Sequence, residues 1–560
     1  MNIRFALAMV IFMCGVVSTV HAATCASVVD TVSDDSSSST TSLRDAVDAC
    51  KASGDTITFS SSLNDQIIRL VDDSIVIGSG ETLVLEATDQ NIRLYLSVTN
   101  FTTFIIDKPV FDIQSGGSLE INGLILDGLE NEFYKESFIK AESADVTLND
   151  VVVTQHYVSN ASILPALMMI DSNLTVTDSE FTELFNIKCD SACEKGSANI
   201  SEHTAGIYFL DTVGGKTLTV DSSYFGLNFT QHEDGIASSI IIDGQASTTA
   251  NITNSSFHEN FSFGYGSAIG IAGAGNVTIE QCSFAENIAS QNGALYLDGN
   301  ASATVNVNHS SFLNNVSNTD NTATSIFEHS LFSGTLNVDH TAFVHTSSND
   351  HVGSIDSGSF THSYLSSDQK TVFLPMNNYG GGVPALYPIA GSAIVDAGDA
   401  GFAGSPSTDQ RGFARVYNSR IDIGANEYGL ANAILRFPFI VSVEAGSNTN
   451  LNLKTLFYNA DDITSFTVTS SVPSGFSVST AGILTASPPS SLGGQSFSIT
   501  MDIATAVDTS SYTLDYRVTE TSSDDSSSSS GMMRSWWLCL LVLMATLKYK
   551  YRDSIRRSQY

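Results

Sequence analysis

The chain has 560 residues, 59 of them Asp or Glu against 24 Lys or Arg, for a net charge of −35, and 42% of it is apolar. Such an acidic balance excludes electrostatic binding to nucleic acid or to anionic membrane surfaces. The length allows two or three domains with sizeable cores.

In chain order, MNIRFALAMVIFMCGVVSTVHA reads as a secretory signal peptide over residues 1–22: one Arg, an apolar stretch from Phe5 to Val17, and a small-residue finish at Ala22. Thr24 is a poor residue to precede a lipidated Cys25. In TSLRDAVDACKASGDTITF, Thr41 to Phe59, Ser42 suits the cap of a short helix with Leu43, Ala46 and Val47 on one face. Such a helix would cover an otherwise exposed sheet edge. Seven cysteines are present. In an oxidising compartment Cys25 with Cys50, and Cys189 with Cys193, are disulfide candidates. Closing the first loop would stabilise by about 3 kcal/mol on the chain-entropy model. Cys189 and Cys193 lack a second ligand pair nearby, so zinc is not expected there.

From residue 119 onward a unit repeats. Its register residue runs Leu126, Val153, Phe181, Phe225, Phe257, Phe284, Phe312, Phe343, at spacings of 27, 28, 44, 32, 27, 28 and 31 residues. Seven before it stand Leu119, Val146, Leu174, Leu218, Ala250, Val277, Val305 and Leu336; five before it stand Ile121, Leu148, Val176, Val220, Ile252, Ile279, Val307 and Val338. Polar columns alternate with them, one being Glu120, Thr147, Thr175, Thr219, Asn251, Thr278, Asn306, Asn337, and the next Asn122, Asn149, Thr177, Asp221, Thr253, Glu280, Asn308, Asp339. Alternation with period two is a half-buried strand, and a unit of this length rich in β-branched residues is a solenoid coil. Stacked Phe side chains then form an interior aromatic ladder. Asn228, Asn260, Asn287 and Asn315, three residues after each Phe, suit a bend, since Asn tolerates left-handed backbone angles and can stack as a ladder. Runs such as AGIYFL from Ala205 and GSAIGI from Gly266 read as the next strand of each coil. The predicted fold is all-β: a right-handed parallel β-helix over residues 23–430, its handedness taken from the general crossover rule. Short alternating strands over 435–520 predict a small β-sandwich. The Ser/Asp-rich run 521–534 reads as an extended spacer, and residues 535–560 as a hydrophobic anchor or sorting segment with a basic tail. The apolar run from Ser535 to Leu547 is 13 residues, about 20 Å of helix; with its flanks it would anchor the chain with a cytoplasmic C-terminus.

These motifs carry resemblances. GSAI (266–269) with FAEN (284–287), and NGAL (292–295) with FLNN (312–315), resemble the repeats of polymorphic outer-membrane proteins. The Thr41–Phe59 segment resembles one common in exported bacterial β-helix proteins. SAIVDAGDAGFAGSPSTDQRGFARVYNSRIDIGANEYG, Ser392 to Gly429, resembles the closing segment of the surface proteins called choice-of-anchor Q. VPSGFSVSTAGILTASPPSSLGG resembles the Ig-like, cadherin-like modules of bacterial surface proteins, and the C-terminal arrangement resembles bacterial sorting signals, with Gly531 alone where those carry Gly-Gly. The resemblances imply export, a pectin lyase-like β-helix and surface display; they imply no one activity.

Chemistry is sparse. Lyases on this fold need a Lys or Arg base, and none occurs from Thr217 to Gln369. Asn318-Thr319-Asp320 mimics a hydrolase motif without its other parts. His309 and His340 share a polar turn column with Asn254 and Gln281, and His258 and His345 lie just past a Phe; no metal-ligating set is assigned. Cys282 falls in a column of Ser179, Ser223, Ser255, Ser310 and Thr341 and reads as a buried small residue. Asp396, Asp409, Arg411, Arg415, Asp422 and Glu427 read as an ion-pair network tying the irregular end of the helix, and Asp461-Asp462 as a solvated turn. The expected binding residues are Asp221, Glu280 and Asp339, which add charge to one outward column. Bridging calcium is left open and no other cofactor is expected. The expectation is an exported adhesin or surface-binding module at the surface or outer membrane of a bacterium. Its partner would be a polysaccharide or a cell-surface protein, with membrane contact only through the C-terminal segment. A polysaccharide lyase or glycoside hydrolase is the alternative.

Overall fold

Strands that alternate buried apolar with half-exposed polar residues can bury their apolar rows only by stacking on copies of themselves. The computed structural model describes residues 25, 27–34, 40–71, 73–97, 105–128, 133–134, 136–159, 164–187, 204–231, 235–290, 293–317, 325–344, 359–361, 364–366, 372–402, 406–417, 420–436 and 440–520. Over them the chain coils into a parallel β-helix of four sheets, with 12, 11, 8 and 9 strands. One coil shows the plan: Thr249–Thr253 in the first sheet, Ser256–His258 in the second, Phe261–Ser262 in the third, Ile269–Ile271 in the fourth. The predicted columns stand in register, Val220 opposite Ile252, Ile252 opposite Ile279 and Ile279 opposite Val307. All sixteen predicted inward positions, seven and five before the register residue, are buried. The rings of Phe181, Phe225, Phe257, Phe284, Phe312 and Phe343 stack with centroids 4.8, 5.0, 4.8, 4.6 and 5.2 Å apart.

The coil has more strands than its sequence pattern suggests. What reads as one strand ending in Phe is two, separated by a residue in the left-handed region: Asp150, Asp178, Ser222, Asn254, Gln281, His309 and His340, with φ between 43° and 54°. The second sheet's three-residue strands are followed by another left-handed column, Gln155, Glu183, Leu227, Glu259, Glu286 and Asn314. The bend after Phe therefore belongs to the residue preceding the conserved-register Asn, which corrects the expectation that Asn itself takes the left-handed angle. Likewise the AGIYFL-type runs are the fourth strand, two strands further on. Coils also exist on either side of the repeat. Leu83 and Leu85 pair with Leu119 and Ile121, and Phe360 pairs with Val338.

Each bend is held by side-chain ladders. The Oδ1 atoms of Asn228, Asn260, Asn287 and Asn315 accept the N–H of Leu184, Asn228, Asn260 and Asn287 on the preceding coil, at 3.1–3.3 Å. Their Nδ2 groups donate to the carbonyls of Phe181, Phe225, Phe257 and Phe284 at 3.0–3.1 Å. The hydroxyls of Ser179, Ser223, Ser255 and Ser310 do the same at the other bend, accepting from Val151, Ser179, Ser223 and Cys282. Cys282 sits in that column fully buried, and burial pushes its thiol up to about 12, so it is a packing residue.

At the N-terminal end the helix Leu43–Cys50 starts in a capping box between Ser42 and Asp45 and buries Leu43, Ala46, Val47 and Cys50. Cys50 is disulfide-bonded to Cys25, with Cα atoms 5.4 Å apart. Among the described residues a second compact unit comprises 440–453, 465–503 and 511–520, with a sheet of 4 strands and one of 3. Residues 454–464 and 504–510 belong to the β-helix unit instead.

Replacing Asn287 by Ala removes four cross-coil hydrogen bonds and strands buried partners, so Asn287→Ala is expected to cost about 3 kcal/mol. The outward Asn306→Ala is expected to cost less than about 0.5 kcal/mol. Denaturant unfolding of the two variants measures both.

Candidate binding face and its buried clamp

Register brings Asp221, Glu280 and Asp339 into one outward column of the first sheet, with Thr253 between the first two and Asn308 between the last two. They share a line and do not meet. Each already has partners. Asp221 accepts from Ser222 Oγ at 3.1 Å, Asn254 Nδ2 at 3.2 Å and the Thr253 hydroxyl. A Glu280 oxygen lies 3.8 Å from His309 Nδ1, and an Asp339 oxygen 3.1 Å from His340 Nδ1. Within the same column Thr177 donates to Asn149 at 2.9 Å, and beside it lie two more polar rows bonded across coils, where Asn173 donates to Asp145 at 2.8 Å and Asn337 to Asn306 at 3.0 Å. The face is half-exposed, flat and free of Lys and Arg from Thr217 onward.

The closing segment does not tie off the end of the helix as its charges suggest. It lies along the flank, over the outer surface of the second sheet. Ile423, Leu386, Ile394 and Val372 pack on Ala285, Leu313, Ala342 and Val344. Gln410 bonds Ser256 Oγ at 2.6 Å and the Ser223 carbonyl at 3.2 Å, and Ala425 N donates to Ser283 Oγ at 2.9 Å. The small outward side chains there, three serines and two alanines, leave room for a second layer.

Its charges are the clamp. Arg411, fully buried at the side chain, donates from Nε and Nη2 to Asp409 Oδ2 at 3.0 and 2.5 Å. It lies 4.9 Å from the Tyr387 and Phe413 ring centroids. Arg415 reaches Gly424 O at 2.9 Å, Ala425 O at 3.0 Å and the Asn254 side chain of the coil. Glu427 stands 3.5 Å from Arg415 and beside Asp422 and Asp409. Desolvation and the neighbouring acids outweigh the arginine and push Glu427 up to about 8. Burial pushes Asp422 up to about 6. Asp396 contributes its N–H to Asp422 at 2.6 Å. Asp462 is not a solvated turn: it is half-buried, accepts from Asn459 Nδ2 at 3.1 Å, and burial raises its pKa.

No family model, curated protein or solved structure matches the chain.

One constellation escaped the sequence pattern. His258 ends a second-sheet strand, Glu259 follows it at a left-handed bend, and Glu286 occupies the same bend one coil later. Their ligand-type atoms all lie within 4.8 Å of one another. Aligning the two variable positions of Phe-x-x-Asn, FHEN over FAEN, would have stacked the glutamates. Residues 1–22, Cys189, Cys193, Asn318-Thr319-Asp320, His345 and the run 521–560 lie outside the described residues. Among the described residues no helix is long and apolar enough to cross a membrane.

The clamp predicts a pH dependence. Glu427 and Asp422 keep protons in the folded state that the unfolded chain releases, so stability declines as pH rises from about 4 towards about 8. Glu427→Gln is expected to flatten that decline. Melting curves across the range, with hydrogen exchange of residues 409–428 as the local readout, measure it.

Proposed function

We propose that the chain is an exported, surface-displayed adhesive protein whose β-helix binds a neutral, hydroxyl-rich polysaccharide along the outer face of its first sheet. The observation that carries this reading is the in-register polar grid from Ser118–Asn122 to Thr335–Asp339. Several of its side chains, Asn173, Thr177, Thr253 and Asn337 among them, are already bonded from coil to coil, so little of their entropy is lost when a ligand docks. Rows about 4.8 Å apart give an extended polymer repeated donors and acceptors. The face carries neither the aromatic nor the arginine anchors of protein–protein hot spots. Its acid column would repel an acidic polymer, and calcium would relieve that repulsion.

The Cys25–Cys50 disulfide supports an oxidising, extracytoplasmic compartment. The resemblance of Ser392–Gly429 to choice-of-anchor Q proteins supports a bacterial cell surface or outer membrane. In this reading the second unit is an Ig-like spacer, and the apolar run with its basic tail is the anchor, retained or processed.

The test is binding of the full-length chain to neutral and acidic polysaccharides, with reducing ends and unsaturated-product absorbance followed alongside. The double variant Asn251→Trp/Thr278→Trp is expected to lose at least about tenfold in affinity for the neutral polymer at unchanged melting temperature. Asp221→Asn/Glu280→Gln/Asp339→Asn is expected to admit acidic polymers. Affinity unmoved by the tryptophans would put the binding surface elsewhere, binding only to a surface protein would replace the ligand class, and product formation would establish the enzyme alternative.

A further inference from the structure

Glu259 and Glu286 are neighbours on adjacent coils at the same bend, both exposed, with their carboxylates converging on the half-buried ring of His258. None of the three side chains makes a hydrogen bond or ion pair among the described residues. This is unusual in a molecule that otherwise bonds its polar columns from coil to coil. The half-buried His258 ring supplies the one nitrogen donor of the group.

Nor does a cation answer the charge. No Lys or Arg occurs between Thr217 and Gln369. Of the arginines packed nearby in the closing segment, Arg411 is committed to Asp409 and backbone carbonyls, and Arg415 to Asn254, Glu427 and carbonyls. Further acid crowds the same flank: Glu180 and Glu259 both act on the Tyr224 hydroxyl, and Glu183 acts on Glu180. Tyr224 lies over Gly226, the residue one coil before His258, and closes that side of the group.

We propose that His258, Glu259 and Glu286 bind a divalent transition-metal ion, of the zinc class, in a site bridging two coils on the flank of the β-helix. One imidazole nitrogen with two carboxylate oxygens is a donor set that zinc and its first-row neighbours favour, whereas calcium and magnesium take oxygen alone. Ligand atoms sharing such an ion sit about 3–4 Å apart, given metal–ligand distances of about 2.0–2.2 Å. The present separations, none above 4.8 Å, close to that range by rotation of the two exposed glutamates. Three protein ligands leave a position open to water or to an oxygen of a bound molecule. The site is separate from the proposed sugar-binding face on the first sheet and does not depend on it.

The experiment titrates the chelator-treated full-length chain with zinc chloride by calorimetry and with cobalt(II) by visible absorption. One zinc per chain is expected, insensitive to an equal concentration of calcium. Affinity is expected to fall at least about tenfold in Glu286→Gln and in Glu259→Gln. Glutamine holds the same left-handed bend at Gln155 and the other one at Gln281, so these variants keep the fold. His258→Ala, flanked in its column by Gly226 and Ala285, is expected to abolish the cobalt band. Equal zinc binding by wild type and all three variants, displacement by calcium, or no heat at millimolar zinc would each overturn the proposal.

Discussion

Every coil of a parallel β-helix must turn sharply between short strands, and at each turn it exposes backbone donors and acceptors that have no partner within the coil. In this chain the debt falls on two bends flanking the three-residue strand that carries the Phe. Both bends take a left-handed residue, at about 1–2 kcal/mol for a side chain bearing a Cβ. The strain persists because neighbouring coils over-determine it. Asn260 cannot leave its place without releasing the Phe225 carbonyl and the Asn228 amide together. The aromatic ladder fills the interior, but the asparagine and serine ladders decide where the chain bends.

That rigidity explains the closing segment. A flank whose outward residues are Ser256, Ser283, Ser311, Ala285 and Ala342 is smooth and partly apolar, and would be a liability if exposed. The chain covers it with its own continuation. Buried arginines make the cover specific, since each must find its oxygens in one arrangement. Arg415 bonding to Asn254 links the cover to a left-handed bend of the coil beneath. The acidic residues of this segment thus serve packing, and the raised pKa of Glu427 records what their burial costs.

How much could be read from residues alone follows the same logic. Columns that repeat at fixed spacing, Val220 with Ile252 and Ile279 or Asn228 with Asn260, announced the core and the asparagine ladder, because in-register stacking preserves spacing. Earlier coils stayed hidden where five residues, Ala87 to Asn91, intervene between the strand ending at Glu86 and Ile92, breaking the distance from Leu85 to Leu94. The split of one apparent strand into two was invisible because the left-handed column mixes Asp, Ser, Asn, Gln and His, which share a backbone angle and no side-chain pattern. The docking of residues 372–430 onto the flank is a long-range contact that periodicity does not encode. The acids of the first-sheet column were legible as a line, but not that each had been satisfied locally.

Charge placement separates those acids from the pair on the flank. Along the first sheet a neutral rung stands between successive acids, as Thr253 does between Asp221 and Glu280, keeping like charges about 9–10 Å apart, near the Debye length of physiological salt. Where acids occupy adjacent coils the molecule must answer differently. Asp150 and Asp178 are such neighbours, and burial together with Asp221 and Asp150 raises the Asp178 pKa, a shift towards holding a proton. Glu259 and Glu286 are also acids on adjacent coils, both exposed, and the group beside them is the half-buried ring of His258. Two carboxylates and a ring nitrogen thus stand within 4.8 Å of one another where both glutamates hold left-handed bends. The arrangement lacks a positive charge at its centre, and the donors it presents define which ion would supply it.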